Sequence, residues 1–453
     1  MEGPVDLAAL RSLASGLDAE WLAGRRWFGA RTRRLAGVEL ADAASLDDGA
    51  WLLVLAAHFD DGGTERYLVP AMAHGGALRE PGDGEGAWAA LTHCAARGGD
   101  LASARGRFTM SPTPRLAELL PPQVSASSLA ERRFAGEQSN TSVRLGDRVV
   151  LKLYRHLVAG INPEIEVNRF LSDAGFPHAP GFAGCVEYVS DDEAPCAAAL
   201  LQAMVPARGD GWTWAVSTLS RPPDGPQELL AAASVIGGVT AQLHEALASR
   251  PDDEAFPARP ATDDERRAWQ AAAERGLEAA VAVLPPDGEE HGRLEAIAPA
   301  LGERLAAIGA AAGARLSRIH GDYHLGQLLR TENGFVVIDF EGEPARPLAE
   351  RRTPASPLRD VAGMLRSFDY AARTAERGVK ADGDGRLEVD AWLADARAAF
   401  LTAYAGDAVD RELLAALEVE KACYEVRYEA NHRPDWIWLP LEALERAAGE
   451  RAA

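Results

Sequence analysis

The stretch His320-Gly321-Asp322-Tyr323-His324-Leu325-Gly326-Gln327, followed by Val336-Val337-Ile338-Asp339-Phe340-Glu341, decides the fold. It sets one aspartate in a loop, a carboxamide five residues on, and a second aspartate at the end of an apolar strand. Phosphoryl transfer from ATP requires those groups. A carboxylate orients the attacking hydroxyl, and two oxygen ligands hold the magnesium that neutralises the phosphates. Magnesium favours such ligands at a site that keeps some of its water. Leu328-Leu329-Arg330, a turn ending in Asn333-Gly334, and Phe335 to Phe340 read as a hairpin that brings the two aspartates together.

Each residue also has a plainer reading. A lone Asp322 could cap a turn, but its pattern, His-Gly-Asp-x-His-x-Gly-Gln, points to a base that accepts the hydroxyl proton late in transfer. His320 and His324 have a spacing that could serve zinc on a helix, yet Gly321 lies between them and no third ligand is evident, so they read as scaffold. Gln327 stands where phosphotransferases usually carry Asn and offers the same amide oxygen. Asp339 follows a buried apolar run, where an unpaired carboxylate is costly and a metal removes the cost. Gln327 and Asp339 are therefore the expected Mg2+ ligands.

Upstream, Arg148-Val149-Val150-Leu151-Lys152-Leu153-Tyr154 reads as a strand with a lysine inside it. Lys152 is either an outward-facing strand residue or a buried cation that meets ATP phosphates and a helix carboxylate. Asn162-Pro163 starts a helix. On that helix Glu166 is the preferred partner of Lys152, with Glu164 serving the helix dipole. The polar turn Gln138-Ser139-Asn140-Thr141-Ser142 stands where kinases place a phosphate-covering loop, although it contains no glycine.

The chain has 453 residues, too many for one core. Residues 1–90 are expected to form an N-terminal domain, with Trp51 to Leu55 and Glu65 to Val69 as a hairpin and no catalytic constellation. Residues 91–206 combine a connecting region with the Lys152 strand, and residues 207–453 read as mostly helical. The net charge of −21 disfavours nucleic-acid and anionic-membrane partners. Four scattered cysteines suit a reducing, cytoplasmic setting, and no apolar run reaches membrane-spanning length.

Together these motifs resemble the maltokinase family, within the aminoglycoside-phosphotransferase-like and eukaryotic-type kinases. The match includes Glu137 to Val143, Gly160-Ile161-Asn162-Pro163, the catalytic stretch, Asp339 to Pro344, Ser356 to Phe368, and Lys421-Ala422-Cys423-Tyr424-Glu425. It covers about 130 to 445 well and the N-terminus weakly. The resemblance implies an α+β, bilobal kinase fold with an N-terminal cap domain, and the use of ATP and Mg2+. It implies that Lys152, Glu166, Asp322, Gln327 and Asp339 hold the roles argued above. It makes Gln202, Met204 and Val205 part of a hinge that contacts adenine through backbone groups.

The chain departs from that family at Tyr323, where Leu is usual, and at Arg433-Pro434-Asp435-Trp436-Ile437-Trp438-Leu439-Pro440. Trp436 and Trp438 offer faces for a sugar ring. Glu420, Glu425, Glu429 and Asp435 offer carboxylates, and an added Asp suits an ammonium. With Asp322, His324 and Tyr424 these form the expected substrate set. The related glucosamine kinases share the framework and differ in the sugar pocket, so an amino sugar phosphorylated on its 6-hydroxyl is the expected substrate. A maltokinase and an aminoglycoside phosphotransferase are the alternatives. A monomer or weak homodimer is expected.

Overall fold

The structure, a computed structural model, describes residues 5–121, 129–134, 139–191, 194–221, 224–343, 346–378 and 388–449. The chain folds as two compact units. One comprises Met1–Ser172, Pro180–Pro206 and Pro347–Ala349, and the other Asp173–Ala179, Ala207–Arg346 and Glu350–Ala453. The first unit gives way to the second after Pro206, and residue 90 lies inside the first unit.

In the first unit, helices α1 (Leu7–Leu13) and α2 (Ala19–Ala23) precede strands β1 (Leu35–Ser45), β2 (Ala50–Phe59), β3 (Thr64–His74) and β4 (Ala77–Arg79). Helix α3 (Ala87–Arg97), the hairpin β5 (Gly99–Ser103) and β6 (Gly106–Pro112), and helix α4 (Pro114–Leu119) follow. Then come β7 (Glu131–Arg133), β8 (Asn140–Leu145), β9 (Val149–Tyr154), β10 (His156–Leu157), α5 (Pro163–Asp173), β11 (Phe182–Ser190) and β12 (Cys196–Ala203). Two sheets result. The first has the order β1-β2-β3-β10, with β4 on β3, and the second runs β5-β6-β11-β12-β9-β8-β7. The region read as connecting therefore supplies two strands of the sheet that carries Lys152.

The two sheets share a core in which Leu52, Val54, Leu68, Trp88, Phe108, Leu151 and Leu201 are fully buried. Arg155 ties the first sheet to the second. Its guanidinium is buried, pairs with Glu80, donates to Thr141 Oγ1 at 2.8 Å, and lies 4.7 Å from the Trp27 ring. A buried charge persists only when paired and hydrogen-bonded, so this arginine commits both sheets to one arrangement.

The second unit is mainly helical: α6 (Gly211–Leu219), α7 (Asp224–Leu247), α8 (Asp263–Val283) and α9 (Glu289–Ala310). The small pair β13 (Arg259–Pro260) and β14 (Arg315–Leu316) and the hairpin β15 (Leu328–Thr331) and β16 (Gly334–Val337) flank the catalytic stretch. Helix α10 (Leu348–Arg351), whose first two residues belong to the first unit, precedes α11 (Leu358–Gly378), α12 (Val389–Tyr404), α13 (Arg411–His432) and α14 (Trp438–Gly449). Two glycines let helices close on the catalytic stretch. A Cβ at Gly211 of α6 would lie 2.6 Å from the Leu325 carbonyl oxygen, and one at Gly363 of α11 would lie 2.6 Å from that of Tyr323.

Candidate active site

The catalytic stretch hangs on Asp360, at the start of α11. This buried carboxylate accepts the backbone N–H of His320 at 2.8 Å and of Gly321 at 2.9 Å. His244 of α7 lies 3.1 Å from it through Nε2. Burial pushes the Asp360 carboxyl up, but the His244 bond, the charges of His244 and His320, and the Gly321 amide hold it below its ordinary value. His320 Nε2 meets the Ile338 carbonyl at 3.0 Å, so the loop is fixed to the segment leading to Asp339. The Tyr323 hydroxyl bonds Thr240 of α7 at 3.1 Å. Gly321, with φ of 85°, supplies the left-handed turn that L side chains avoid.

Asp322 faces two basic groups: Lys421 Nζ lies 3.7 Å from Oδ1, and His324 Nε2 lies 3.9 Å from Oδ2. Gly326 donates its N–H to His324 Nδ1 at 3.0 Å. Burial lowers the His324 pKa, and the charges of Lys421 and His320 lower it further, against the pull of Asp322. With Nδ1 accepting, the neutral ring carries its proton on Nε2, toward Asp322. Both rings are thus tied to backbone groups of the catalytic stretch.

Asp339 adopts φ of 66°, one of two described non-glycine residues in the left-handed region. Such backbone strain is held only where surroundings enforce it, and it clusters at functional sites. Gln327 donates Nε2–H to Asp339 Oδ2 at 3.2 Å, which leaves the amide oxygen for a ligand. A carboxylate and an amide oxygen brought together on rigid backbone are the hard donors that Mg2+ requires, so the residues fit that ion.

In the first unit, Lys152 of β9 stands opposite Ser142 of β8 and Leu200 of β12. Opposite residues share a face, so Ser142 and, two residues earlier, Asn140 lie on the lysine's side of the sheet. Lys152 Nζ lies 2.9 Å from Glu164 Oε2, which also accepts from the Tyr154 hydroxyl at 2.7 Å. The expectation of Glu166 is corrected here. Asn162 caps α5 through Glu164 N (2.9 Å) and Ile165 N (3.1 Å), and that phase turns Glu164 inward and leaves Glu166 half-buried.

Other expected nucleotide residues are distributed differently. Thr141 receives Arg155 and is structural, Ser139 is exposed, and Gln138 lies outside the described residues. The Gln202 amide donates to Asn168 of α5 at 2.8 Å. The Met204 N–H is taken by the Arg148 carbonyl at 2.8 Å, which removes it as an adenine donor; neighbouring Val205 is half-buried.

A cavity of about 330 Å3 opens beside the catalytic stretch, where Gly321 and Tyr323 meet Gly363, Glu343, Glu420, Lys421 and Tyr424. Of the expected substrate residues, Glu420, paired there with Arg359 at 2.6 Å, and Tyr424 line it, whereas Asp322 and His324 are not on its wall. Glu425 instead grips Arg366 at 2.7 and 3.0 Å, and burial pushes its carboxyl up. Glu429 pairs with Arg433 at 2.6 Å. Asp435 is exposed, Trp436 lies under Arg433 at 5.0 Å, and Trp438 lies under Arg377 at 3.4 Å. None of these three lines the cavity. Guanidinium stacking occupies the faces that the sequence offered to a sugar.

Sequence reasoning missed Asp360, Lys421 and Glu343, although all three fall within motifs quoted for the resemblance. A carboxylate two residues after a Ser-Pro-Leu helix start was the available signal for Asp360. Trp269 of α8, also on the cavity wall, sits in an Ala-rich helix that gives no signal.

A strand lysine held by a helix carboxylate, a loop aspartate, and a strained Asp–Gln pair define a phosphotransferase. The chain belongs to the phosphotransferase enzyme family, whose pattern matches residues 131–400. The maltokinase N-terminal cap domain matches residues 21–98. A glucosamine kinase from Streptacidiphilus jiangxiensis is 32% identical over 403 residues, 85% of this chain and 86% of that one. Another, from Mycolicibacterium smegmatis, is 32% identical over 339 residues, 71% of this chain and 80% of that one. A solved glucosamine kinase in complex with glucosamine, ADP and inorganic phosphate is 27% identical, with a TM-score of 0.72 over 98% of this chain and 99% of that one. The fold is thus a phosphotransferase kinase fold with a cap domain. No described helix is long and apolar enough to cross a membrane.

Proposed function

We propose that this chain is an ATP-dependent glucosamine kinase that transfers the γ-phosphoryl group to the 6-hydroxyl, yielding glucosamine 6-phosphate and ADP. The observation that carries the reading is the similarity to glucosamine kinases across both the cap and the kinase region. The cavity beside the catalytic stretch, with carboxylates on its wall, supports it.

In this reading Asp322 orients the acceptor hydroxyl and takes its proton as the new P–O bond forms and the bond to ADP breaks. Lys421 balances the Asp322 charge, and His324 limits its rotation. Lys152, steadied by Glu164 and Tyr154, holds phosphate oxygens. Gln327 and Asp339 are the residues that would hold Mg2+, which supplies charge neutralisation on the phosphates. The 6-hydroxyl is the least hindered alcohol of the ring. Glu350, together with Glu343 and Glu420, which also pair with Arg346 and Arg359, replaces Asp435 as the source of carboxylates for the ammonium.

A coupled assay with ATP, Mg2+ and a panel of glucosamine, glucose, maltose and kanamycin tests the proposal. Glucosamine should give the highest kcat/KM. Faster phosphorylation of maltose at its anomeric hydroxyl, or of kanamycin, would overturn it.

A further inference from the structure

A second cavity, of about 420 Å3, lies in the second unit among α9, α11, α12, α13 and α14. It shares no lining residue with the cavity beside the catalytic stretch. Five arginines line it: Arg304, Arg366, Arg373, Arg397 and Arg446. Only three carboxylates do so, Asp369, Asp390 and Glu418. Glu425 also pairs with Arg366, and among the described residues the arginines still outnumber these carboxylates by one. This concentration occurs in a chain whose net charge is −21.

Among the described residues, one acid serves several of these arginines. Asp369 alone receives Arg366 at 2.6 Å, Arg373 at 2.8 Å and Arg446 at 2.9 Å. Arg373 also reaches Asp390 at 2.7 Å, and Arg397 reaches Glu418 at 2.6 Å. Arg304 Nη2 is buried and makes no hydrogen bond among the described residues. A buried N–H of a guanidinium without an acceptor is costly, so an acceptor is to be expected there. Burial lowers the Arg446 pKa; Asp369 opposes this, and the charges of Arg373 and Arg366 add to it.

Planar guanidinium forks match phosphate oxygens, and Arg is the residue suited to such recognition. We infer that this cavity is an anion site for a small phosphate monoester or phosphate ion, separate from the catalytic cavity. Its walls include α11 and α13, the helices that carry Asp360 and Lys421. The ligand therefore sits against the supports of the catalytic stretch without touching Asp322.

The test is isothermal titration of the full chain, with glucosamine and a non-hydrolysable ATP analogue at saturation to fill the catalytic site. Inorganic phosphate and glucosamine 6-phosphate are titrated separately, with chloride as the ionic-strength control. One further phosphate-bearing molecule should bind per chain. Equal binding of both identifies the phosphate group as the ligand, and tighter binding of the ester identifies a sugar phosphate. R304Q/R446Q should weaken binding roughly tenfold or more, with KM for ATP and glucosamine unchanged. Arg397→Gln, whose side chain is 35% exposed, should disturb folding little as a single substitution and should weaken binding in the same direction. No additional binding to the wild-type chain, or unchanged binding in R397Q, would overturn the inference. Loss of glucosamine turnover in the wild-type chain would bear on the proposed function alone, because the arginine variants report the second site directly.

Discussion

Replacing Asp360 by Asn removes a charge while preserving shape, and so measures what that carboxylate contributes to the catalytic stretch. Asp360 accepts two backbone amides at 2.8 and 2.9 Å and faces His244 at 3.1 Å, all in a buried setting. An Asn side chain has one acceptor oxygen. If it serves Gly321, its NH2 opposes the His320 N–H, and one amide is left without a partner. The loss of a hydrogen bond to a charged group costs about 1.5–3 kcal/mol and a buried orphan donor about 1–3 kcal/mol, so a destabilisation of about 3–5 kcal/mol is expected. For a unit of this size that corresponds to a fall in Tm of roughly 6–20 °C. Thermal unfolding followed by fluorescence reads it, and kcat should fall because His320 and Gly321 position Asp322. The native carboxyl lies below its ordinary value, so its contribution is complete above about pH 4 and is lost as pH falls through the native value. The gap between wild type and D360N should therefore narrow in acid. A Tm within about 2 °C of wild type at neutral pH would refute the reasoning.

Asp322→Asn should lower kcat at least ~100-fold while leaving ATP binding, read by calorimetry, nearly intact; retention of a tenth of wild-type turnover would remove Asp322 as the base. Glu343→Gln should raise KM for glucosamine about ten- to a hundredfold and barely alter that for glucose, whereas D435N should be silent because Asp435 is exposed and outside the cavity. Equal effects of E343Q on both sugars would argue against an ammonium contact. Gly363→Ala should destabilise the protein by about 1–3 kcal/mol and lower kcat, because its Cβ would meet the Tyr323 carbonyl oxygen at 2.6 Å. Gly238→Ala, on α7 with nothing within 4 Å, should instead stabilise by about 0.5–1 kcal/mol in the same unfolding assay.

Residues were legible in the sequence where local chemistry left one solution. His320 to Gln327 packs an aspartate, an amide and two glycines into eight positions, and no ordinary loop needs that set. The β15–β16 hairpin and the Asn162 cap were legible for the same reason: each is closed by residues within a few positions of itself. What escaped depended on partners far along the chain. Strand β6 pairs with β11, Gly184 lying opposite Pro112, so the segment looks like a connector until that partner arrives. Asp360 reads as an ordinary helix residue until it reaches amides some forty positions earlier. The choice between Glu164 and Glu166 turned on helix phase, which the cap sets but the residue types do not reveal. Trp436 and Trp438 show the opposite failure. Their chemistry suited a sugar, but Arg433 and Arg377 already cover their faces. An aromatic ring in a site-like motif becomes a ligand platform only if no neighbouring guanidinium claims it, and in a chain with this many arginines that competition decides the outcome.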